Sequence, residues 1–290
     1  MATPPLIDHT RTTGLRTVRR RREPLRRFSL AWWLSQAAMT FGLLVFLLMA
    51  WQIAAWIAPN PQIPSPIIIL GYAWQLFLGG GAQGMSSQTA WFGHALPTVG
   101  RALLGFLLGC FWGIVLGIFT GLSRVFRYSS NWVVEFLRAI PTSAVLPLFI
   151  VLMGGTDWMR VAFISYGLSL YVLINTASGV ASVDPTLVLT GRAFRLSRPA
   201  IIWRIILPAA QPAIWAGIRI ATIGATILAI VSEFMVATNG IGYQIQYNVG
   251  RFNLPAMWAW IVFLAIFGLI LNFVVEGTER RVLRWHRNSH

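Results

Sequence analysis

The chain has 290 residues, of which 56% are hydrophobic and only 11% are charged, and its mean hydropathy is +0.66. Soluble domains carry about 25% charged residues, so this composition excludes an ordinary soluble protein and favours a membrane protein. The net charge of +15 comes from arginine alone, because the chain has no lysine. With a single cysteine, Cys110, a disulfide framework is excluded as well.

Six apolar stretches are each long enough to cross a membrane as a helix, which takes about 20 residues. They cover residues 36–58, 96–121, 131–153, 159–180, 209–234 and 256–276. The sequence therefore predicts an all-α polytopic membrane protein with about six transmembrane helices. A basic tail over residues 1–34 would precede a membrane domain over residues 35–290.

The arginines are divided unequally between the two sides of this predicted topology. Most of the 23 lie in the tail, after the second and fourth spans, and at the C-terminus, whereas residues 59–95 contain none. Only Arg160 and Arg251 fall on the opposite side. By the positive-inside rule, both termini are predicted to be cytoplasmic, in a bacterial inner membrane. Anionic lipid headgroups then account for the charge, and nucleic acid is not expected as a partner.

Two signals concern helix packing in the second and third spans. Glycine recurs every fourth residue in the second span, which predicts close approach of a neighbouring helix along the stripe Gly105, Gly109, Gly113, Gly117 and Gly121. In the third span, Pro141 and Pro147 each remove a backbone hydrogen bond. Membrane helices tolerate such breaks beside protein or a water-filled cavity, so Pro141, Thr142 and Ser143 are predicted to line a translocation path. Glu135 and Arg138 are expected to pair along their own helix.

Ionisable residues inside the fifth span are costly and therefore informative. Glu233 either holds a gate or lines a path, or it is a helix-end carboxylate satisfied by local backbone. Arg219 either extends toward the cytoplasmic surface or neutralises a carboxylate on a neighbouring helix. Polar residues at the outer end of this span and after it are candidate solute contacts or gate residues by position: Ser232, Glu233, Asn239, Gln244 and Asn248.

No catalytic constellation is present in the sequence. A phosphate-binding loop of the Walker type needs a lysine, which this chain lacks. The histidines His9, His94, His286 and His290 are scattered, so no metal site is predicted. Ser123 and Ser232 lack a histidine base, which disfavours a membrane-embedded hydrolase.

A polar, arginine-bearing stretch, DPTLVLTGRAFRLSRPAIIWRIILPAAQP, separates the fourth and fifth spans. Asp184 followed by Pro185 predicts a helix start, and Ser197 predicts a second one. Leu207–Pro208 is expected to end the second helical piece and begin the next span. A folded basic loop in a membrane protein needs a partner on which to dock.

From about Leu96 onward the chain resembles the inner-membrane permease component of binding-protein-dependent ABC importers, in the taurine, alkanesulfonate, nitrate and bicarbonate branch. The resemblance rests on LPTVGRALLGF, LRAIPTSAVLPLFIVL, the Asp184–Pro212 stretch and SEFMVATNGIGYQIQ. The family's coupling loop has the pattern Glu-Ala-Ala, three residues, Gly, about eleven residues, Leu-Pro. The residues that fit this loop are Arg192, Ala193, Ser197, Trp203, Arg204, Leu207 and Pro208. Leu189 replaces the expected glutamate and Arg195 the expected glycine, which predicts a different turn or a longer first helix.

The resemblance implies a permease without its own ATPase site and without a bound cofactor. ATP and Mg would be bound by a cytoplasmic ATPase dimer, a solute-binding protein would dock outside, and a second permease, the same chain or a paralogue, would complete the path. The coupling loop, about residues 183–208, would insert Phe194, Ile202 and Trp203 into the ATPases, with Arg192, Arg195 and Arg204 setting the register. The implied solute is a small anion such as a sulfonate, nitrate or bicarbonate, with a small heterocycle as the alternative for this branch. The alternatives are an ATP-independent secondary transporter or channel, and a membrane-embedded enzyme.

Overall fold

The computed structural model describes residues 30–82 and 84–284, with the side chains of residues 30–41 and of Arg124 outside the description. The predicted basic tail therefore lies almost entirely outside the described residues. The chain divides into two compact units after Ala50. The described part of the first unit is helical, and the second unit, from Trp51, contains the candidate functional sites.

The described residues form a helical protein with one small hairpin. The helices before the hairpin are α1 (Leu30–Ile57) and α2 (Pro66–Phe77), and strands β1 (Gly81–Ala82) and β2 (Met85–Ser86) pair antiparallel. A π-helical segment, Thr89–Ala95, leads into α3 (Leu96–Leu122). The next helices are α4 (Arg124–Ala139), α5 (Thr142–Met153), α6 (Asp157–Ala181), α7 (Pro185–Ala193) and α8 (Arg198–Ile201). A second π-helical segment, Ile202–Ile206, precedes α9 (Leu207–Val236), α10 (Ile241–Gly250) and α11 (Leu254–Val282).

Four continuous helical stretches in the described part of the chain are long and apolar enough to cross a membrane. They are Thr89–Leu122, Asp157–Ala181, Arg198–Val236 and Leu254–Val282, and the bent pair α4–α5 would add a fifth. These match the second, fourth, fifth and sixth predicted spans. In the first predicted span, the segment Gly42–Ile57 of α1 is apolar but short for a span by itself.

The third predicted span is not a single kinked helix. Helices α4 and α5 meet at an angle of 95°, and the break falls at Ile140 and Pro141. Pro141 cannot donate a helical hydrogen bond and disfavours helical geometry at the residue before it. Pro147, by contrast, lies inside α5 without ending it. With 12 residues, α5 is about 18 Å long, which is shorter than the roughly 30 Å hydrocarbon core.

The glycine stripe of α3 packs against α6, as predicted. A Cβ atom at Gly113 would lie 2.6 Å from Cβ of Val172, and one at Gly121 would lie 2.6 Å from Cβ of Val180. The contact positions rise together along both helices, so α3 and α6 run parallel. The absence of side chains on the stripe is what allows the two backbones to approach this closely.

Helix α9 packs antiparallel against α6, because Gly167 contacts Leu228 near one end and Gly179 contacts Ala213 near the other. Consequently the starts of α3 and α6 lie beside the end of α9; we call this the α10 end. The ends of α3 and α6 lie beside the start of α9, at what we call the α7 end. Arg219 of α9 is paired with Glu279 of α11, so the pairing interpretation of Arg219 describes this structure.

Candidate functional site

Glu233 is the centre of a buried polar cluster at the α10 end. The side chain is 1% exposed in the last turns of α9. Arg101 of α3 donates from Nη1 to Oε1 at 2.6 Å, and Thr98 Oγ1 lies 2.8 and 2.9 Å from the two carboxylate oxygens. The backbone N–H of Gly242 donates to Oε2 at 2.8 Å. The carboxylate is therefore satisfied by a neighbouring helix and by α10, rather than by local backbone alone.

Arg101 links this carboxylate to a second ion pair. Its Nη2 lies 2.6 Å from Oδ1 of Asn239 and 2.7 Å from Oδ1 of Asp157, the first residue of α6. The same Asp157 oxygen accepts from Arg160 at 2.7 Å, and Arg160 in turn donates to the carbonyl of Val236 at 3.1 Å. We call Arg101, Asp157, Arg160 and Glu233 the charge ring. It joins α3, α6 and α9 and contains equal numbers of positive and negative charges.

Two glycines allow α10 to approach the carboxylate. Gly240 has φ 111°, which L-residues rarely adopt, and a Cβ there would lie 2.5 Å from the Glu233 carboxyl atoms. A Cβ at Gly242 would lie 2.7 Å from Cβ of Glu233. The sequence NGIGY therefore places the start of α10 directly over the carboxylate.

His94 extends the cluster beneath α10 and was not singled out as a site residue in the sequence. Its Nδ1 accepts from the N–H of Gly240 at 3.2 Å, and its Nε2 lies 2.8 Å from the side-chain amide of Gln244. The Asn248 amide donates to the Gln244 carbonyl at 2.6 Å. His94 belongs to the π-helical segment before α3, whereas Gly240 and Gln244 lie 146 and 150 residues later in the chain. Only the tertiary structure brings them together. The sequence contained no local signal for this contact.

The remaining residues predicted near the path differ in their surroundings. Ser232 is buried and donates to the carbonyl of Ala229, one turn earlier. Pro141 and Ser143 are exposed at the break between α4 and α5. Thr142 is half-buried, and its methyl group packs close to Gly167 of α6. Among these predicted residues, the structure brings Glu233 and Asn239 together but places the Pro141–Ser143 segment in a separate region.

The hydrogen bonds and ion pairs at the α10 end cross-link α3, α6, α9 and α10. Removing one partner of a buried ion pair costs about 3–5 kcal/mol, because a buried charge is left without compensation. The ring thus holds three helix ends and α10 in one arrangement. No group of three or more metal-ligating side chains occurs in the described parts of the chain.

The opposite, α7 end carries the basic loop between α6 and α9. Asp184 caps α7 by accepting from the N–H of Thr186 at 2.8 Å, as predicted, and this hydrogen bond holds the pKa of the Asp184 carboxyl below its usual value. Ser197 occupies the corresponding position before α8, but its hydroxyl makes no capping hydrogen bond. Helix α9 begins at Leu207, as predicted, but the helical stretch from Arg198 runs through Pro208 to Val236, so the prediction that Leu207–Pro208 ends a separate helical piece was wrong. The π-helical segment Ile202–Ile206 directly precedes the proline.

Arg195 keeps the tight turn that a glycine would give. Its φ is 55°, in the left-handed region, and α7 ends at Ala193. The N–H of Leu196 donates to the carbonyl of Gly191 at 3.0 Å, and the N–H of Arg195 donates to that of Arg192 at 2.8 Å. These are the two hydrogen bonds of a Schellman motif, which usually has glycine at this position. The expectation of a different turn or a longer first helix was therefore wrong.

The loop presents two aromatic side chains outward. Phe194 is 76% exposed and Trp203 is 71% exposed. Arg192, Ala193, Arg195, Ser197 and Arg204 are also exposed, whereas Leu207 and Pro208 are half-buried at the start of α9. The other side of the loop is anchored by a buried apolar cluster formed by Val180, Ile201, Ile206, Ala210 and Ile214. The loop is thus packed onto α6 and α9 while its aromatic face remains uncovered.

Comparisons with known proteins agree with this architecture. Residues 113–284 match the family described as "Binding-protein-dependent transport system inner membrane component". The permease protein SsuC of Bacillus subtilis, named for aliphatic sulfonates transport, is 32% identical over 228 residues, which cover 79% of each chain. The taurine transport system permease protein TauC of Escherichia coli is 29% identical over 267 residues, covering 90% of this chain and 94% of TauC. The nitrate import permease protein NrtB of Synechococcus elongatus is 28% identical and covers 80% of this chain and 85% of its own.

A chain of the MetNI methionine ABC transporter, solved in inward-facing conformations, has the same fold. The TM-score is 0.57 at 20% identity, and the match covers 68% of this chain and 99% of that chain. The protein is therefore a membrane-embedded permease. It belongs to the family of binding-protein-dependent transport system inner membrane components, in the sulfonate, taurine and nitrate branch of ABC importers, which confirms the resemblance read from the sequence.

Proposed function

We propose that this permease imports a small oxyanion, driven by ATP hydrolysis on partner subunits that contact the loop at the α7 end. The observation that carries the proposal is the loop itself, with exposed Phe194 and Trp203 on a surface otherwise anchored to α6 and α9. Exposed aromatic residues on a rigid support are typical of interface anchors. The relatives are named for sulfonates, taurine and nitrate, all of which contain small oxyanionic groups.

The proposed coupling residues are those of the loop's exposed face and its exit into α9. Phe194 and Trp203 would fill apolar clefts in the ATPase dimer, which alone would bind ATP and Mg. The guanidinium groups of Arg192, Arg195 and Arg204 would pair with acidic groups beside those clefts and set the register. Ala193 and Ser197 would allow close approach, since both are small and exposed. Leu207 and Pro208 would transmit movement into α9.

The loop is built to transmit a displacement. The Schellman turn at Arg195 and the Asp184 cap fix both ends of α7, and Ile201 and Ile206 bind the second piece to the spans. The helix Arg198–Val236 is continuous from the loop to Glu233. A push on the loop would therefore reach the charge ring through one helix. We propose that the charge ring fixes the far end of this helix, at the α10 end.

The charge distribution supports an orientation with the α7 end in the cytoplasm. The loop at the α7 end carries four arginines, Arg192, Arg195, Arg198 and Arg204. At the opposite end, in the described segment from α10 to the start of α11, the exposed basic side chain is Arg251. By the positive-inside rule, the loop and both termini would be cytoplasmic, and the α10 end would face an extracytoplasmic solute-binding protein. A second permease, either the same chain or a paralogue, would complete the translocation path.

The proposed path residues fall into two groups. Glu233 and Asn239, with buried Ser232 beside them, would hold the outer gate through the charge ring. Pro141, Thr142 and Ser143 would line the path where the helix is broken, because the carbonyls freed at a break need water or protein partners. Within this proposal, the solute would meet the broken segment rather than the buried carboxylate of Glu233.

Uptake by proteoliposomes tests the proposed function. The permease, its ATPase and its binding protein are reconstituted with ATP inside, and accumulation of labelled taurine, methanesulfonate and nitrate is measured. ATP-dependent accumulation of at least one of them is expected. Equal uptake with and without ATP would instead identify a channel or a secondary transporter.

A further inference from the structure

A cavity of about 450 Å³ with polar and apolar walls lies at the α7 end, between α4 and α6. The last turns of α3 contribute Thr120 to its wall. Helix α4 contributes Arg127, Ser130, Asn131 and Glu135, α6 contributes Ser178, and Ser182 directly follows α6. It is separate from the charge ring and from the exposed aromatic face of the loop.

The orientation of α4 makes this cavity unusual. Tyr128, Trp132 and Phe136 recur every fourth residue and are exposed on the outer face of the helix. An amphipathic helix in a membrane interface turns such a face toward the acyl chains and its polar face toward water. Here the polar face of α4 is turned toward α6 and encloses the cavity. Polar side chains of α4 therefore line one wall of the cavity, while Leu173, Ile174 and Ala177 of α6 form an apolar wall opposite.

The cavity contains hydrogen-bond donors that have no acceptor. Among the described residues, Arg127 makes no ion pair, although it is half-buried. The Ser130 Oγ atom is buried without any hydrogen-bond partner. Buried polar atoms are nearly always paired, so an unpaired hydroxyl beside an unpaired guanidinium points to a missing acceptor.

Among the described residues, no hydrogen bond joins the other polar groups of the wall to Arg127 or Ser130. The hydroxyls of Thr120 and Ser182 donate to the carbonyls of Leu116 and Gly179 in their own helices. The carboxylate of Glu135 is neutralised by Arg138, which donates to it at 2.8 Å. Glu135, the carboxylate of the wall, is thus paired with Arg138, and in the described part of the chain Arg127 has no counter-ion.

We propose that this cavity binds an oxyanion, namely a phosphate or sulfonate group held by Arg127 and Ser130. A phosphate ester carries several acceptor oxygens, which suit a guanidinium fork and a neighbouring hydroxyl. The group is supplied either by the headgroup of an anionic phospholipid at the membrane interface or by a free anion in water. Ser182, in the cavity wall, is two residues from Asp184, which caps α7. Binding of an oxyanion in the cavity would therefore affect the start of α7.

Binding in nanodiscs of uncharged phosphatidylcholine tests the proposal with two probes. Phosphatidylglycerol is added to the lipid in one arm, and inorganic phosphate is added to the buffer in the other. The apparent affinity of the purified permease is measured for the wild type, Arg127→Gln and Arg280→Gln. The control removes an equal charge from an arginine at the end of α11 that already pairs with Glu276.

We expect Arg127→Gln to lower the affinity for one of the two probes by about tenfold or more, because a hydrogen-bonded charge pair contributes that much. Arg280→Gln should bind both probes like the wild type. Loss of affinity for phosphatidylglycerol identifies a lipid site, and loss of affinity for inorganic phosphate identifies a site for a free anion. Ser130→Ala should weaken the same probe without lowering the Tm of the ligand-free protein, because it deletes an unpaired group. Unchanged affinity of both variants for both probes would overturn the proposal.

Discussion

Glu233 shows what can and cannot be predicted at the scale of single residues. A carboxylate inside a span is costly, so the sequence marks the position as important. Its partners Arg101 and Thr98, however, lie 132 and 135 residues earlier in the chain. Nothing in the local pattern connects them, and the hypothesis of a locally satisfied helix end was equally open. His94 was passed over for the same reason.

Replacing Glu233 with Gln should strongly destabilise the permease. The change leaves the buried guanidinium of Arg101 without its main counter-charge, so the free energy of unfolding should fall by about 3–5 kcal/mol. Thermal unfolding of the purified protein in detergent measures the loss.

The matched control for this variant is Glu135→Gln. It breaks an exposed pair with Arg138, so its effect should stay within about 1 kcal/mol. If both variants unfolded at the same temperature, the charge ring would not hold the α10 end together.

Arg195 is a residue for which the sequence prediction was wrong in an informative way. A glycine-to-arginine difference suggested a new turn, yet the turn is retained and the residue adopts the left-handed conformation. Arg195→Gly should therefore raise the free energy of unfolding by about 0.5–1 kcal/mol, since glycine has no Cβ to strain. A lower unfolding temperature for this variant would show that the arginine side chain stabilises the loop by more than its backbone strain costs.

At the scale of helices, periodicity predicted the packing of α3 well, because a four-residue repeat of glycine defines one face of a helix. The break between α4 and α5 was harder to predict. Two prolines stand six residues apart in one apolar run, and only one of them ends a helix. Each proline removes one helical hydrogen bond, so the local sequence does not distinguish the one that breaks the helix.

The stripe predicts opposite effects for the same substitution at two glycines of α3. Gly113→Ala should lower the free energy of unfolding by about 1–3 kcal/mol, because its Cβ would meet Val172. Gly100→Ala, with nothing within 4 Å of the added methyl group, should raise it by up to about 1 kcal/mol through helix propensity. Unfolding temperatures of the two variants, compared with the wild type, check the prediction; equal shifts in one direction would contradict the close α3–α6 contact.

At the scale of the whole molecule, hydropathy located four of the six predicted spans as long helices, because burying a backbone in lipid requires continuous helices. Two of these helical stretches, Thr89–Leu122 and Arg198–Val236, begin well before the predicted starts at residues 96 and 209. The direction in which they cross was inferred from arginine counts alone. Two highly exposed residues at opposite ends allow a direct check, since Phe252 is 84% exposed beyond α10 and Phe194 is exposed in the loop. The native thiol, Cys110, is buried and does not interfere.

In intact cells, a membrane-impermeant maleimide should label Phe252→Cys but not Phe194→Cys. After the membrane is permeabilised, both variants should be labelled. Labelling of Phe194→Cys in intact cells would invert the proposed orientation.

The central claim is that the exposed aromatic face of the loop docks on a partner ATPase, and affinity purification from the native membrane tests it most directly. The tagged wild-type chain and a Phe194→Ala/Trp203→Ala variant are purified under the same conditions, with Phe252→Ala as the control for removing an exposed aromatic residue. We predict that the wild type and the control co-purify with an ATP-binding subunit, whereas the double variant inserts normally and loses that subunit. Equal recovery of the ATPase with the double variant would contradict the account.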